Sequence, residues 1–200
     1  MRSNTSMLRR AGAITPMALA AALCFAGTAH AAVPVNWTCQ ASGSTSSMTT
    51  SVTTTAPASV SAGSPVAITI APGSSTVPTT AAIFTIKSIS NLKMLIPVPA
   101  NSTYVSSSAS GGSVPGTTAL VGSNVELTVP GPIAGGATYT PPVVTINVTA
   151  NAPGSITSKY AGTSYASPGM TMTTTVTGLG NIATACYPNP SPTLTTTTVT

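Results

Sequence analysis

Apolar and polar residues alternate with a period of two along much of this chain, and the polar partner is most often threonine. Val66, Ile68 and Ile70 are separated by Ala67 and Thr69, and Val125, Leu127 and Val129 by Glu126 and Thr128. Val144, Ile146 and Val148 are separated by Thr145 and Asn147, while Met170, Met172 and Val176 fall among Thr171, Thr173, Thr175 and Thr177. Leu92, Met94, Ile96 and Val98 follow the same rule, although Leu95 makes the opposite face less polar. Successive side chains of a strand point to opposite faces, so each run predicts a half-buried strand. Weaker signals predict strands around 48–54, 82–86, 102–106, 117–121, 156–164, 181–186 and 194–199. The threonine run at 195–198 reads either as an edge strand or as a frayed tail.

Between these runs stand turn residues: Gly63-Ser64-Pro65, Pro72-Gly73, Gly111-Gly112, Gly122-Ser123-Asn124, Pro130-Gly131-Pro132, Gly135-Gly136 and Pro153-Gly154. Each supplies a preset φ or tolerates a positive one. Thr, Gly and Pro recur too often for a helix of useful length. The pattern predicts an all-β fold, a single antiparallel β-sandwich of the immunoglobulin-like or jelly-roll-like kind.

Composition at first sight argues against a packed fold, because about a third of the residues after position 31 are Ser or Thr. Disorder, however, accompanies low hydrophobicity and high charge. This chain is apolar and nearly uncharged, and β-branched threonine suits the solvent face of a strand. The N-terminus carries a different signal. Arg2, Arg9 and Arg10 precede an alanine-rich apolar stretch over 11–27, and Ala29-His30-Ala31 fits a small-x-small cleavage site. Residues 1–31 are therefore expected to be a signal peptide and 32–200 a single β-sandwich domain. The apolar stretch is short and broken by Thr15 and Pro16, which argues against a membrane anchor. Leu23 before Cys24 argues against a lipidation site. No C-terminal anchor or sorting signal is expected.

Cleavage changes the charge picture. Every arginine and the only histidine leave, and Lys87, Lys93 and Lys159 remain against Glu126, so a net +5 becomes 3 − 1 = +2. Three scattered lysines do not make a nucleic-acid footprint. Two cysteines remain, Cys39 and Cys186. In an exported chain they are expected to form one disulfide, joining the two terminal segments side by side.

The residues left also limit the chemistry. A Ser-His-Asp or Cys-His site needs a base, and after cleavage there is neither histidine nor aspartate; only a serine–lysine dyad on Lys87, Lys93 or Lys159 is left, a coincidence that means little among so many serines. Paired-carboxylate hydrolysis needs two acids where one exists. Zinc and calcium sites need clusters that are missing. The glycine pairs lack a phosphate-loop lysine. No catalytic residue, metal ligand or cofactor is expected, and the chain does not read as an enzyme.

Binding candidates are the aromatics. Trp37, two residues from Cys39, reads as a core aromatic over the disulfide or as an exposed grip for sugar or lipid. Tyr104, Tyr139 and Tyr165, with Tyr160 and Tyr187, read as a recognition strip or as edge packing. Met48, Met94, Met170 and Met172 read as core filling or as the lining of an apolar pocket. The sequons at Asn36, Asn101 and Asn147 are expected chance matches in a threonine-rich chain.

Two phrases carry a resemblance. Ala56-Pro57-Ala58-Ser59-Val60-Ser61-Ala62-Gly63-Ser64-Pro65-Val66 and Val129-Pro130-Gly131-Pro132-Ile133-Ala134-Gly135-Gly136-Ala137-Thr138-Tyr139 resemble recurrent stretches of bacterial surface immunoglobulin-like domains. With Pro97-Val98-Pro99-Ala100-Asn101-Ser102-Thr103-Tyr104 and Cys186-Tyr187-Pro188-Asn189-Pro190, the chain is similar to an uncharacterised family of secreted actinobacterial proteins. The resemblance implies an exported β-sandwich of the envelope or medium and brings no site residues with it. The expected role is structural or adhesive, with a cell-wall glycan, lipid or protein as partner, or self-association. The alternative is a carrier of a small apolar ligand or envelope lipid.

Overall fold

The computed structural model describes residues 32–81 and 83–200. The expected signal peptide lies outside the described residues. The strands, in chain order, are β1 (Val33–Ala41), β2 (Ser44–Thr55), β3 (Ser59–Val60), β4 (Pro65–Pro72), β5 (Ser75–Thr76) and β6 (Thr80–Ala81). They continue with β7 (Phe84–Pro97), β8 (Ser102–Ser110), β9 (Thr117–Val121), β10 (Asn124–Val129), β11 (Ile133–Ala134) and β12 (Thr138–Tyr139). The last are β13 (Val143–Ala150), β14 (Gly154–Ser158), β15 (Met170–Val176), β16 (Gly180–Pro188) and β17 (Thr195–Val199). The fold is all-β, as the alternation requires.

One large antiparallel sheet runs in the order β8-β13-β4-β2-β1-β16-β15-β7-β10-β9, with β6 and β11 added along β7. It curls until its outer strands, β8 and β9, meet. The two layers of the sandwich are therefore two halves of one nearly closed sheet, which leaves few unpaired edges. A small sheet, β14-β17-β3, and the β5–β12 pair complete the fold. Inward residues of the strands form one buried cluster that includes Val35, Ile68, Leu92, Leu127, Ile146 and Ile156.

Three departures from the sequence pattern have local causes. The predicted strands at 82–86 and 92–98 form parts of one long strand, β7. Its buried residues Ile86, Ile89 and Leu92 are spaced by three because the register against β15 slips twice, once near Asn91. Asn91 sits at φ 51°, and such bulges break the period-two signal. The threonine run is neither edge nor tail: β17 is the central strand of the small sheet, and Thr197 is fully buried. The Thr197 Oγ1 donates to the Pro57 carbonyl at 2.7 Å, which satisfies a hydroxyl that burial would otherwise penalise. Finally, strand pairing after Ile156 ends at Ser158, and residues 159–169 leave the small sheet to cross to β15.

Cys39 and Cys186 form the expected disulfide, bridging directly opposed positions of β1 and β16. Their Cα atoms are 4.0 Å apart, and both residues are buried. The bond closes a separation of 147 residues. Such a closure removes unfolded-state entropy equivalent to about 5 kcal/mol in the chain model.

Candidate functional site

The β1–β16 ribbon, fixed by the disulfide, carries different chemistry on its two faces. Val35, Trp37 and Cys39 alternate inward along β1 and are buried, so Asn36, Thr38 and Gln40 face outward. On β16, Cys186 and Pro188 are buried, and Tyr187 between them points out, opposite Thr38.

Inside the ribbon, Trp37 meets Tyr160 with ring centroids 5.2 Å apart and planes tilted by 57°. Neither the Trp37 Nε1 nor the Tyr160 hydroxyl has a hydrogen-bond partner among the described residues. Burial pushes the Tyr160 phenol far above its ordinary range, because a phenolate there would lack both solvent and partner. This pair is core packing with two polar atoms left over.

Outside the ribbon, Tyr165 meets Tyr187 at the same centroid distance, 5.2 Å, edge to face at 74°. Both rings are half-buried. The connection over 159–169 supplies Tyr160 to the inner pair and Tyr165 to the outer one. It can do so because Gly162 and Gly169 pack back to back: a Cβ on Gly169 would collide with the Ala161 carbonyl. The Ala161 amide donates to the Leu95 carbonyl at 2.9 Å, and the Gly169 carbonyl accepts from the Leu95 amide at 2.8 Å. The loop is thereby clamped to the edge of β7.

Beside the outer pair lies an open hollow of about 320 Å³, bounded by Tyr165, Thr38, Thr45, Ser46 and Ser47. This is at the lower end of ligand clefts, roughly 300–1,000 Å³. No charged side chain lines it. Its hydroxyls can each donate and accept, and the tyrosine ring adds an apolar face with a polar tip. A second open hollow on the sheet surface is bounded by Asn91, Lys93, Thr171, Thr173 and Ala185 among others.

The remaining sequence candidates do not join this cleft. The structure places Trp37 and Tyr139 in the core rather than at the surface, since the inward alternation of their strands removes both rings from solvent. Burial also raises the Tyr139 pKa. Tyr104 lies on β8 with its hydroxyl 3.0 Å from Ser107 Oγ and its ring partly packed on the core. Of the four aromatics singled out, Tyr165 alone borders the hollow, and its partner is Tyr187. That partnership follows from the Cys39–Cys186 register, which sets Tyr187 across from Thr38. Met94 and Met170 oppose one another in the core, while Met48 and Met172 are packed partly against it. Glu126 does face outward, but it is mostly covered: its Oε1 accepts from Lys93 Nζ at 2.8 Å and from Thr128 Oγ1 at 3.2 Å.

The fold is similar to that of one solved structure, described as "Putative membrane anchored protein from Corynebacterium diphtheriae". The TM-score is 0.55 and the identity 18%, over 86% of this chain and 38% of that one. The chain thus spans well under half of that neighbour, and at this identity the likeness is one of fold. Its source is an actinobacterium, which agrees with the resemblance drawn from the sequence at that coarse level. No protein-family model matches the chain, and no curated protein matches it.

Proposed function

We propose that this protein is a non-catalytic, adhesive β-sandwich of the bacterial envelope, exported and disulfide-closed, which holds cell-wall glycan on the outer face of the β1–β16 ribbon. The carrying observation is the Tyr165–Tyr187 pair beside an uncharged hollow lined by hydroxyls. Sugar rings offer apolar C–H faces and a fringe of hydroxyls, which match an aromatic face and Thr or Ser hydroxyls respectively. The site has no acid or base to assist bond cleavage, so it suits retention without turnover. Location in the envelope is supported by the disulfide and by the description of the structural neighbour as membrane anchored. The kinship with secreted actinobacterial surface proteins belongs to this reading as well.

The carrier alternative has less support. Met94 and Met170 fill the core, and both hollows open outward on the sheet surface.

Co-sedimentation of the folded protein with insoluble wall polysaccharide tests the reading. Retention is expected for the wild type and loss for Tyr165→Ala combined with Tyr187→Ala, with no soluble saccharide released. Equal retention of both proteins, retention of neither, or release of saccharide would overturn it.

A further inference from the structure

Beyond the β1–β2 turn, where β15 and β16 outrun β1, the molecule has a different surface. At that end β6, β7, β15 and β16 form a projecting finger. Ala41 at the end of β1 pairs with Thr184, whereas the β15–β16 pairing continues to Val176 and Gly180. Residues 180–183 therefore extend past the end of β1 by four positions, roughly 13 Å at the rise of a strand. The finger ends in two adjacent hairpin tips. Ala81 pairs with Phe84 in one, Val176 with Gly180 in the other, and the Thr177 amide donates to the Thr85 carbonyl at 2.9 Å.

Both tips carry apolar residues that the fold does not use. Ile83 is 88% exposed, Leu179 52% and Phe84 40%. Turn chemistry does not ask for them. The hairpin at the β1–β2 connection turns through Ser42-Gly43, the polar and glycine types such turns favour. A β-branched isoleucine is a poor turn residue, and here it buries nothing. Leu179 stands between Gly178 and Gly180, which take φ 80° and 78°, so the turn leaves its side chain free to be polar. Exposed apolar side chains of this size, gathered on two neighbouring tips, point to a surface that receives them.

Shape and charge identify that surface. Two narrow convex tips cannot supply the roughly 800 Å² per partner of a stable protein interface. They can place separate side chains at a headgroup–acyl boundary, where binding scales with buried apolar area and attraction to anionic lipid. Lys87, three residues behind Phe84, is exposed, and the one ion pair among the described residues engages the only acid with Lys93 instead. The tip therefore carries uncompensated positive charge and no negative charge.

We infer that the β6–β7 and β15–β16 hairpin tips insert Ile83, Phe84 and Leu179 into an anionic lipid surface, with Lys87 at the headgroups. Tyr187 lies eight residues from Leu179 along β16, roughly 26 Å in an extended strand. Lipid contact and the outer tyrosine cleft thus occupy opposite ends of one hairpin.

Sedimentation of the disulfide-bonded protein with phosphatidylglycerol–phosphatidylcholine vesicles, and with phosphatidylcholine alone, tests the inference. Binding to the anionic vesicles is expected, with Phe84→Ser and Leu179→Ser each weakening it about tenfold. Lys87→Gln and added salt are expected to weaken it severalfold. These positions are exposed, and unchanged near-ultraviolet circular dichroism establishes that the variants fold. Equal binding to neutral vesicles, no binding to either, or variants that bind as the wild type does would overturn the inference. So would a concentration-dependent dimer abolished by the same substitutions, which would assign the tips to a second copy of the chain. Wall-glycan retention reads the other end of the hairpin, so the two tests fail independently.

Discussion

Trp37–Tyr160 and Tyr165–Tyr187 are two aromatic pairs with the same 5.2 Å centroid separation, drawn from the same ribbon and the same loop. One lies inside the β1–β16 wall without access to solvent, and the other lies outside it beside a hollow. Ring geometry alone does not distinguish packing from recognition. What separates the pairs is the side of the β1–β16 wall on which the rings fall: Trp37 points in from β1 and Tyr187 out from β16, and the 159–169 connection supplies Tyr160 to the inside and Tyr165 to the outside.

The comparison can be broken most severely from the inside. Trp37→Ala or Tyr160→Ala should each destabilise the fold by about 3–5 kcal/mol, the cost of a large cavity in a closed core. Chemical denaturation measures this, whereas Tyr165→Ala and Tyr187→Ala should lie close to about 0.5 kcal/mol, as surface changes do. Equal losses from the two pairs would mean that the outer rings are also structural.

Next in size is the clamp that holds the two faces in register. Cys39→Ser with Cys186→Ser should lower stability by about 2–5 kcal/mol. It should also weaken glycan retention, because the pairing of Tyr187 with Thr38 depends on that ribbon. Denaturation of the oxidised and double-serine forms, followed by wall co-sedimentation, checks both effects.

A pH titration sharpens the contrast further. The Tyr160 phenol is held neutral by burial, so its folded-state pKa lies above its unfolded value. In the unfolded chain it loses its proton near pH 10, and the folded state does not follow. The unfolded state then binds fewer protons, so stability falls as pH rises beyond about 10. Urea midpoints between pH 8 and 11 should show this fall, and Tyr160→Phe should reduce it. At neutral pH Tyr160→Phe should change stability by about 1 kcal/mol or less, toward greater stability, because it removes a buried hydroxyl without a partner.

Much of the fold was legible in the alternation of Val66–Ile70, Val125–Val129 and Val144–Val148, because period two fixes which face is buried. The path of β7 was not, because its bulges replace alternation with a spacing of three. The central place of β17 was hidden too, since a threonine run carries no apolar signal and Thr197 is buried through a hydrogen bond to Pro57. For the cleft, Tyr165 and the disulfide were visible as residues. The meeting of Tyr165 with Tyr187 was not, because it depends on a loop held by Gly162 and Gly169 against β7, a long-range contact that local sequence does not encode.

Nuclear magnetic resonance of the aromatic rings during titration with soluble cell-wall glycan fragments tests the central claim most directly. The account predicts shifts confined to the Tyr165 and Tyr187 rings and to Thr38, Ser46 and Ser47, with the Trp37 indole and Tyr160 ring unmoved. Shifts at Trp37 and Tyr160, or none at Tyr165 and Tyr187 at saturating glycan, would contradict it.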